Sequence, residues 1–330
     1  MFRKAFFVLG LAVVALAGGC ATSGVNRTSR AAEHYASAAV LMDDYQIEAA
    51  LAELDKAIAL DDKMVLAYSA KGDIYRLEGR YHEAAESYER AANLDPVSFH
   101  EQYSLGLVYQ ALEKIEKAVN AYYRACLLQP EHYEANFNLS TCYLQLEKLD
   151  EAEQYCRRAM TLDPSQAQTE VNMGMIHNLR HNYDEAIQSY KRAIEHDPSQ
   201  LEVFVNLGGI YLKRKKYAAA QKNLQRAVEL DPQLGLARER LGLCLYSQRK
   251  YEEALAEYER ALGLDRASAA AHLGAGVTQM AMYLQGQKHE ELRNRAIGHW
   301  RRSLQLNPDQ PHLQAILERY TTQEGMIAPG

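Results

Sequence analysis

The chain has 330 residues, 48% of them hydrophobic, and a formal charge of 37 − 43 = −6. This length and apolar content suit either two globular domains or one elongated array of repeats with a continuous core. The mildly acidic balance disfavours a nucleic-acid-binding protein, because such proteins usually carry a basic face. We therefore expect no nucleic-acid partner.

The N-terminal segment MFRKAFFVLGLAVVALAGGC has the pattern of an export signal. Arg3 and Lys4 precede an uncharged apolar stretch over residues 5–16, and small residues follow before Cys20. The stretch is too short to span a bilayer, which takes about 20 apolar residues. The sequence LAGGC resembles a bacterial lipobox, which implies a cleaved lipoprotein signal peptide over residues 1–19 and lipidation of Cys20. A simple secreted protein and an uncleaved anchor are the alternatives.

Acyl chains on Cys20 would hold the protein on a membrane, since each buried CH₂ contributes roughly 0.8 kcal/mol. Ala21 stands where an Asp would suggest retention at the inner membrane. The resemblance to Gram-negative lipoproteins therefore implies the periplasmic face of the outer membrane, or the cell membrane if the source has a single membrane. We expect residues 20–30 to combine the acylated Cys with a short flexible tether.

Residues 31–310 follow one template with a period of 34 residues. The landmark is Asp-Pro or an equivalent, and the prolines at this spacing are Pro96, Pro130, Pro164, Pro198 and Pro232. Counting from these landmarks, repeats begin at residues 31, 65, 99, 133, 167, 201, 235 and 269. Such a period is typical of arrays of helical hairpins.

Small and aromatic residues recur in phase with this template. The eighth position is glycine in most repeats, and these glycines are Gly72, Gly106, Gly174, Gly208, Gly242 and Gly276. A glycine inside a helix costs up to about 1 kcal/mol relative to alanine, so its recurrence predicts a close approach of two helices. Tyrosines that recur on both helices, such as Tyr75 and Tyr88, predict core packing rather than a carbohydrate-binding stripe.

On these residues the chain resembles tetratricopeptide-repeat (TPR) proteins over about residues 31–310. The resemblance implies an all-α fold, a TPR α-solenoid that winds about eight helix-turn-helix repeats into a right-handed superhelix. Residues 311–320 are predicted to form a C-terminal capping helix and residues 321–330 a disordered tail. The eighth repeat contains eight extra residues near 283–293, interpreted as a longer turn or an extended second helix, with a partner-specific projection as the alternative.

The sequence contains no glycine-rich phosphate loop, GxSxG, HExxH or CxxC motif. We therefore predict no enzymatic activity, no cofactor and no small-molecule substrate. His177 and His181 are four residues apart, but one takes a core position and the other falls in a turn, so we predict no metal site. The cysteines within the repeats, whose pairing into a disulfide stays open, are Cys126, Cys142, Cys156 and Cys244.

In TPR arrays, positions 2, 6, 9 and 13 of each first helix face the concave groove in which partners bind. The resemblance places in this groove the residues Glu134, Asn138, Thr141, Gln145, Gln168, Asn172, Met175, Glu202, Asn206, Lys213 and Arg240. The sixth position repeats asparagine at Asn138, Asn172 and Asn206. Because an amide offers both a donor and an acceptor, such a ladder can hydrogen-bond the backbone of an extended peptide.

The lipobox and the repeats together favour a membrane-anchored scaffold that binds protein or peptide partners in the bacterial envelope. The chain resembles the TPR pilotins of type IV pili, including their GC-x-TSG start, which implies help in assembling a pilus or secretin complex. An adaptor that docks peptidoglycan hydrolases is the main alternative. A cytosolic TPR scaffold and an enzymatic or ligand-binding array are alternatives from other classes. The sequence leaves the partner and the oligomeric state open.

Overall fold

The computed structural model describes residues 23–286 and 289–322, which form α-helices joined by short turns, without a β-strand. The predicted all-α repeat fold is confirmed. The signal peptide, Cys20 and residues 323–330 of the tail lie outside the described residues. Within the described ranges, no helix is both long enough and apolar enough to cross a membrane. The chain divides into two compact bodies, residues 1–131 (the N-terminal body) and 132–330 (the C-terminal body).

The N-terminal body contains three helical hairpins. Its helices are α1 (Ser23–Asp43), α2 (Ile47–Leu60), α3 (Val65–Leu77), α4 (Tyr81–Leu94), α5 (Phe99–Ala111) and α6 (Ile115–Leu128). The expectation of a flexible tether up to residue 30 is wrong from Ser23 onward, because α1 begins there. No proline or internal glycine interrupts the segment after Gly24, Ala31 is fully buried, and the Arg27 guanidinium lies 3.5 Å from the Ala59 carbonyl oxygen.

The C-terminal body continues the same pattern. Its helices are α7 (Tyr133–Gln145), α8 (Leu149–Leu162), α9 (Ala167–Leu179), α10 (Tyr183–His196), α11 (Leu201–Lys213), α12 (Tyr217–Leu230), α13 (Gly235–Ser247), α14 (Tyr251–Leu264), α15 (Ala269–Leu284), α16 (Glu290–Leu306) and α17 (Pro311–Thr322). From residue 65 onward, every first helix of a hairpin starts where the 34-residue spacing places a repeat start. The last helix, α17, packs its Leu313 against Trp300 of α16.

The insertion in repeat eight lengthens both helices and the turn between them. A regular repeat has a first helix of 13 residues and a second of 14, as in α9 and α10. In repeat eight, α15 has 16 residues and α16 has 17, so three of the eight extra residues fall in each helix and two in the turn. The two residues 287–288 lie outside the described ranges. The interpretation as a longer turn or an extended second helix was therefore incomplete, since the first helix is extended as well.

The recurring glycines let a large side chain from the second helix lie directly on the first. A Cβ added to Gly72 would lie 2.7 Å from the Tyr88 ring, and one added to Gly106 would lie 2.4 Å from the Tyr122 ring. Both tyrosines are fully buried. The tyrosines at this position are thus core residues, and the glycine is needed because any side chain would overlap the ring.

The aspartates that precede the prolines end the second helices. Asp163 has extended backbone angles (φ −142°, ψ 96°), as expected for a residue before proline. Its Oδ1 accepts a hydrogen bond of 3.0 Å from the backbone N–H of Ser165. This side-chain-to-backbone turn recurs at Asp197 and Asp231. The landmark Asp-Pro therefore both stops one helix and sets the path into the next repeat.

The turns within the hairpins contain a residue in the left-handed region, which yields a first prediction. Gly79 takes this place in repeat two with φ 73°, whereas Glu147 takes it in repeat four with φ 56°. Because an L-residue pays about 1–2 kcal/mol in this region, Glu147→Gly should stabilise the protein by about 0.5 kcal/mol after the extra flexibility of glycine is deducted. Gly79→Ala should destabilise it by about 1 kcal/mol. The midpoint of urea unfolding measures both, and a lower midpoint for Glu147→Gly would contradict the prediction.

Candidate functional site

The first helices of the C-terminal body lie side by side and form one face, which we call the first-helix face (α7, α9, α11, α13 and α15). Helix α7 contacts α9, and α13 contacts both α11 and α15. Between α9 and α11, Gln168 Nε2 donates a hydrogen bond of 3.0 Å to Glu202 Oε1. All residues predicted to line the groove belong to α7, α9, α11 and α13. The predicted groove residues thus belong to neighbouring helices of this face.

The three asparagines of the predicted ladder differ in their surroundings. Asn172 is only 4% exposed, and its Nδ2 donates to Thr141 Oγ1 at 2.9 Å, which joins α9 to α7. Asn138 and Asn206 are half-buried. Asn206 lies beside the Tyr190 hydroxyl, although the two groups do not meet the geometry of a hydrogen bond. Asn172 therefore contributes to helix packing, and its amide is largely withdrawn from the surface.

The other predicted groove residues form a polar surface with a few internal contacts. Glu134, Gln145, Glu202 and Lys213 are exposed, whereas Gln168 and Met175 are half-buried. The Lys213 ammonium lies 5.8 Å from the centre of the Tyr183 ring, and Glu134 lies 3.3 Å from His132 Nδ1. Met175 packs against the buried cluster around Tyr190. The exposed members carry carboxylates, an amide and an ammonium that can bind polar groups of a partner.

Arg240 is a half-buried cation at the α13 end of this surface. Its guanidinium reaches across Gly209 and donates through Nη1 to the Val205 carbonyl oxygen of α11 at 3.0 Å. Burial lowers the pKa of Arg240, and the nearby charge of Glu239 partly opposes this. In the part of the chain that the structure describes, no carboxylate lies within 4.0 Å of it. The remaining N–H donors of the Arg240 guanidinium are thus not hydrogen-bonded to a carboxylate of the described residues.

A cavity of about 360 Å³ opens beside Arg240, between α13 and α15. Its apolar walls come from Leu243, Tyr246, Leu273 and Val277, and Tyr258 of α14 forms its floor. This cavity was not predicted from the sequence. A glycine at the sixth template position of repeat eight, Gly274, was the signal that could have indicated it.

The N-terminal body carries a charged cluster that the sequence reasoning also missed. The Tyr88 hydroxyl donates to Asp73 Oδ1 at 2.7 Å, and His100 Nε2 lies 3.6 Å from Asp73 Oδ2. Arg76 lies 3.6 Å from the same carboxylate. Asp73 raises the pKa of His100 above its usual 6.5, against a smaller lowering by burial. Template positions 9 of one repeat and 2 of the next, where Asp73 and His100 stand, could have suggested the pair.

This cluster yields a second prediction, for a proton titration. Because the pKa of His100 is raised in the folded state, its stabilising contribution is present below pH 6.5 and is lost as the pH rises through the folded-state pKa. Asp73→Asn should move the NMR titration midpoint of the His100 ring to lower pH. The His299 ring provides the control and its midpoint should not change, because its pKa is lowered by burial and by His272 and Arg295 rather than by Asp73. An unchanged His100 midpoint in Asp73→Asn would show that another group sets its pKa.

The cysteines and histidines considered as reactive groups are placed in the packing. Cys126, Cys142, Cys156 and Cys244 are buried thiols, and no disulfide joins them. Burial raises the pKa of Cys142 and of Cys156 to about 12, which keeps both as thiols. His177 is half-buried, whereas His181 lies exposed in a turn with φ 61° and contacts the Tyr183 hydroxyl. Among the described residues, no group of His, Cys, Asp or Glu has the arrangement of a metal site.

A family model described as the cilia and flagella-associated protein 70 C-terminal domain matches residues 26–280. No curated protein sequence matches the chain. The crystal structure of YrrB, described as a TPR protein with an unusual peptide-binding site, is 25% identical, with 60% of this chain and 98% of YrrB covered and a TM-score of 0.50.

Two further solved structures share the fold. Pseudomonas aeruginosa pilF is 22% identical, with 68% of this chain and 98% of its own covered and a TM-score of 0.58. A TPR protein from Parabacteroides merdae is 19% identical, with 76% of this chain and 99% of its own covered and a TM-score of 0.55. This repeat fold suggests a protein–protein interaction scaffold and is generally non-enzymatic. Since the family match spans well over half of the sequence, the chain belongs to the TPR family described as the cilia and flagella-associated protein 70 C-terminal domain.

Proposed function

We propose that this protein is a lipid-anchored scaffold of the bacterial envelope that binds a protein or an extended peptide on its first-helix face. The observation that carries the proposal is the set of exposed polar side chains on the first helices α7 and α11, which flank α9. They are Glu134, Gln145, Glu202 and Lys213. Carboxylates and amides in such a set can hydrogen-bond a peptide backbone as well as charged side chains. The description of YrrB as having a peptide-binding site supports the same mode of binding.

The lipid anchor is proposed from the sequence LAGGC, with Cys20 as the acylated residue. It is expected on the periplasmic face of the outer membrane, or on the cell membrane of a source with one membrane. Replacing Cys20 by Ala should release the protein from the membrane fraction, and metabolic labelling with a palmitate analogue should be lost. Equal amounts of unlabelled soluble protein in both cases would instead support a cytosolic TPR scaffold.

Within the envelope, we propose that the scaffold assists the assembly of a pilus or secretin complex. The support is the resemblance of the lipobox, the GC-x-TSG start and the repeats to TPR pilotins. Docking of peptidoglycan hydrolases is the second candidate, since lipoproteins that combine the same features also serve in that role. The captured partner decides between the two.

The first-helix face is tested by reversing its charge. Glu134→Lys combined with Glu202→Lys alters two exposed groups on α7 and α11, and we expect the amount of captured partner to fall at least about tenfold. Glu185→Lys, an exposed residue on the second helix α10, is the matched control and should leave capture unchanged. Chemical cross-linking in envelope extracts, with quantitative mass spectrometry, provides the measurement. Equal capture by all three proteins would refute binding on this face.

A further inference from the structure

The cavity between α13 and α15 interrupts the polar character of the first-helix face. The sixth template position carries asparagine in repeats four to six and Arg240 in repeat seven, but Gly274 in repeat eight. A Cβ added to Gly274 would lie 2.3 Å from the Tyr258 ring. Only glycine fits there, and the missing side chain leaves the ring open to the cavity.

We propose that this cavity binds an aromatic or large aliphatic side chain of a partner peptide that carries an Asp or Glu beside that residue. The inference rests on the proposed function, which it deepens by naming the chemistry of the partner. The cavity supplies the apolar contact, and Arg240 at its edge supplies the charge.

The walls of the cavity are suited to a single large apolar side chain. Leu243 is 47% exposed and Leu236, about two turns earlier on α13, is 45% exposed, so the surface beside the cavity is apolar as well. A volume of about 360 Å³ lies at the small end of the range for ligand pockets, about 300–1,000 Å³. An inserted side chain would remove these leucines and Val277 from water, which favours binding.

The floor of the cavity offers a hydrogen-bond donor. Tyr258 is only 4% exposed, and its hydroxyl makes no hydrogen bond to any of the described residues. The equivalent hydroxyl of Tyr88 is bonded to Asp73 and that of Tyr122 to Gln110. Burial raises the pKa of Tyr258, so its hydroxyl stays protonated. It can therefore donate a hydrogen bond to a carbonyl oxygen of a bound peptide.

The charges at the opening favour an acidic neighbour over a basic one. The Glu239 carboxylate already accepts a hydrogen bond from Ser268 Oγ. Arg240 donates to one backbone carbonyl, and within the described part of the chain no carboxylate lies within 4.0 Å of it, although the charge of Glu239 acts on it from farther away. A carboxylate of the peptide, placed beside the buried side chain, would supply the missing counter-ion through charge-assisted hydrogen bonds.

The experiment selects peptides from a displayed random library on the full chain. We expect enriched peptides to share an aromatic or large aliphatic residue beside Asp or Glu. Leu243→Ser should weaken their binding at least about tenfold. Leu264→Ser is the matched control, because Leu264 is similarly exposed at 39% but lies on the second helix α14, outside the first-helix face. The affinity of this control variant for the enriched peptides should stay unchanged.

The charge is tested separately. Arg240→Gln should weaken the binding of an enriched peptide about tenfold. It should hardly affect the binding of the same peptide when its acidic residue is changed to the amide. Enriched peptides without the apolar–acidic pair, or with unchanged affinity for both pocket variants, would overturn the inference. If Glu202→Lys still weakens the binding of such peptides, the proposed function stands and only the assignment of the cavity fails. A change in the sedimentation of the peptide-free protein on Leu243→Ser would mean that a second copy fills the cavity, which also overturns it.

Discussion

Replacing Gly106 by alanine should destabilise the protein by about 2 kcal/mol, although alanine is the better helix former by about 1 kcal/mol. The added Cβ would lie 2.4 Å from Tyr122, whose ring is fully buried and whose hydroxyl is held by Gln110 at 3.0 Å. Because the ring is fully buried, it can clear the added methyl group only by displacing its neighbours or by moving the two helices of the hairpin apart. Urea unfolding followed by circular dichroism measures the loss.

Gly298 provides the matched control for this substitution. It also lies inside a helix, α16, but it is exposed and a Cβ there would meet no atom within 4 Å. Gly298→Ala should therefore stabilise the protein by up to about 1 kcal/mol. If both variants were stabilised, the close approach of ring and glycine could not be what requires glycine at the eighth position.

Repeat four suggests how the clash can be relieved. It pairs Ser140 with Cys156 at the same two positions, and both residues are fully buried. Gly106→Ser combined with Tyr122→Cys should accordingly cost about 1 kcal/mol less than the sum of the two single changes. Strict additivity of the two costs would show that the positions do not share one packing space.

The periodicity of the sequence predicts the elements that depend on local, repeated signals. The glycines at position eight and the Asp-Pro landmarks indicate where helices pair and where they end, and the helices from Val65 onward begin at the expected residues. The start of α1 at Ser23 was not predictable in this way, because no landmark precedes the first repeat. The extension of both α15 and α16 was equally hidden, since an added length alone does not say how it divides between helices and turn.

The chemistry of the first-helix face was predictable only in part. Template positions identify which side chains share the face, but not what each one contacts in the next repeat. Asn172 and Asn206 have the same residue type and position, yet one is hydrogen-bonded to Thr141 and the other lies beside Tyr190. The cavity at Gly274 likewise depends on how closely α15 approaches Tyr258, a distance between helices that no local pattern encodes.

An ion pair between neighbouring helices, with a buried carboxylate and a partly exposed guanidinium, gives the second large effect. The side chain of Glu170 on α9 is 8% exposed. Arg192 of α10 donates two hydrogen bonds to its carboxylate, from Nε to Oε1 at 2.6 Å and from Nη2 to Oε2 at 2.9 Å. Arg192→Gln should destabilise the protein by about 2 kcal/mol, because it leaves a buried carboxylate without its counter-ion. The value is below that of a fully buried pair, since Arg192 is 44% exposed and solvent screens its charge. The lowered urea midpoint should be accompanied by faster amide exchange in α9 and α10.

Removing the Glu170 carboxylate as well should restore much of the stability that Arg192→Gln loses. Repeat three carries the neutral Gln102 at the position of Glu170, and Arg124 at the position of Arg192, so the fold accommodates an amide there. The double variant Glu170→Gln with Arg192→Gln should accordingly be more stable than Arg192→Gln alone by at least about 1 kcal/mol. If the second change instead added to the first, the cost of Arg192→Gln would come from lost packing of the arginine stem rather than from an unpaired buried charge. The sign of this coupling therefore distinguishes an electrostatic role of the pair from a steric one.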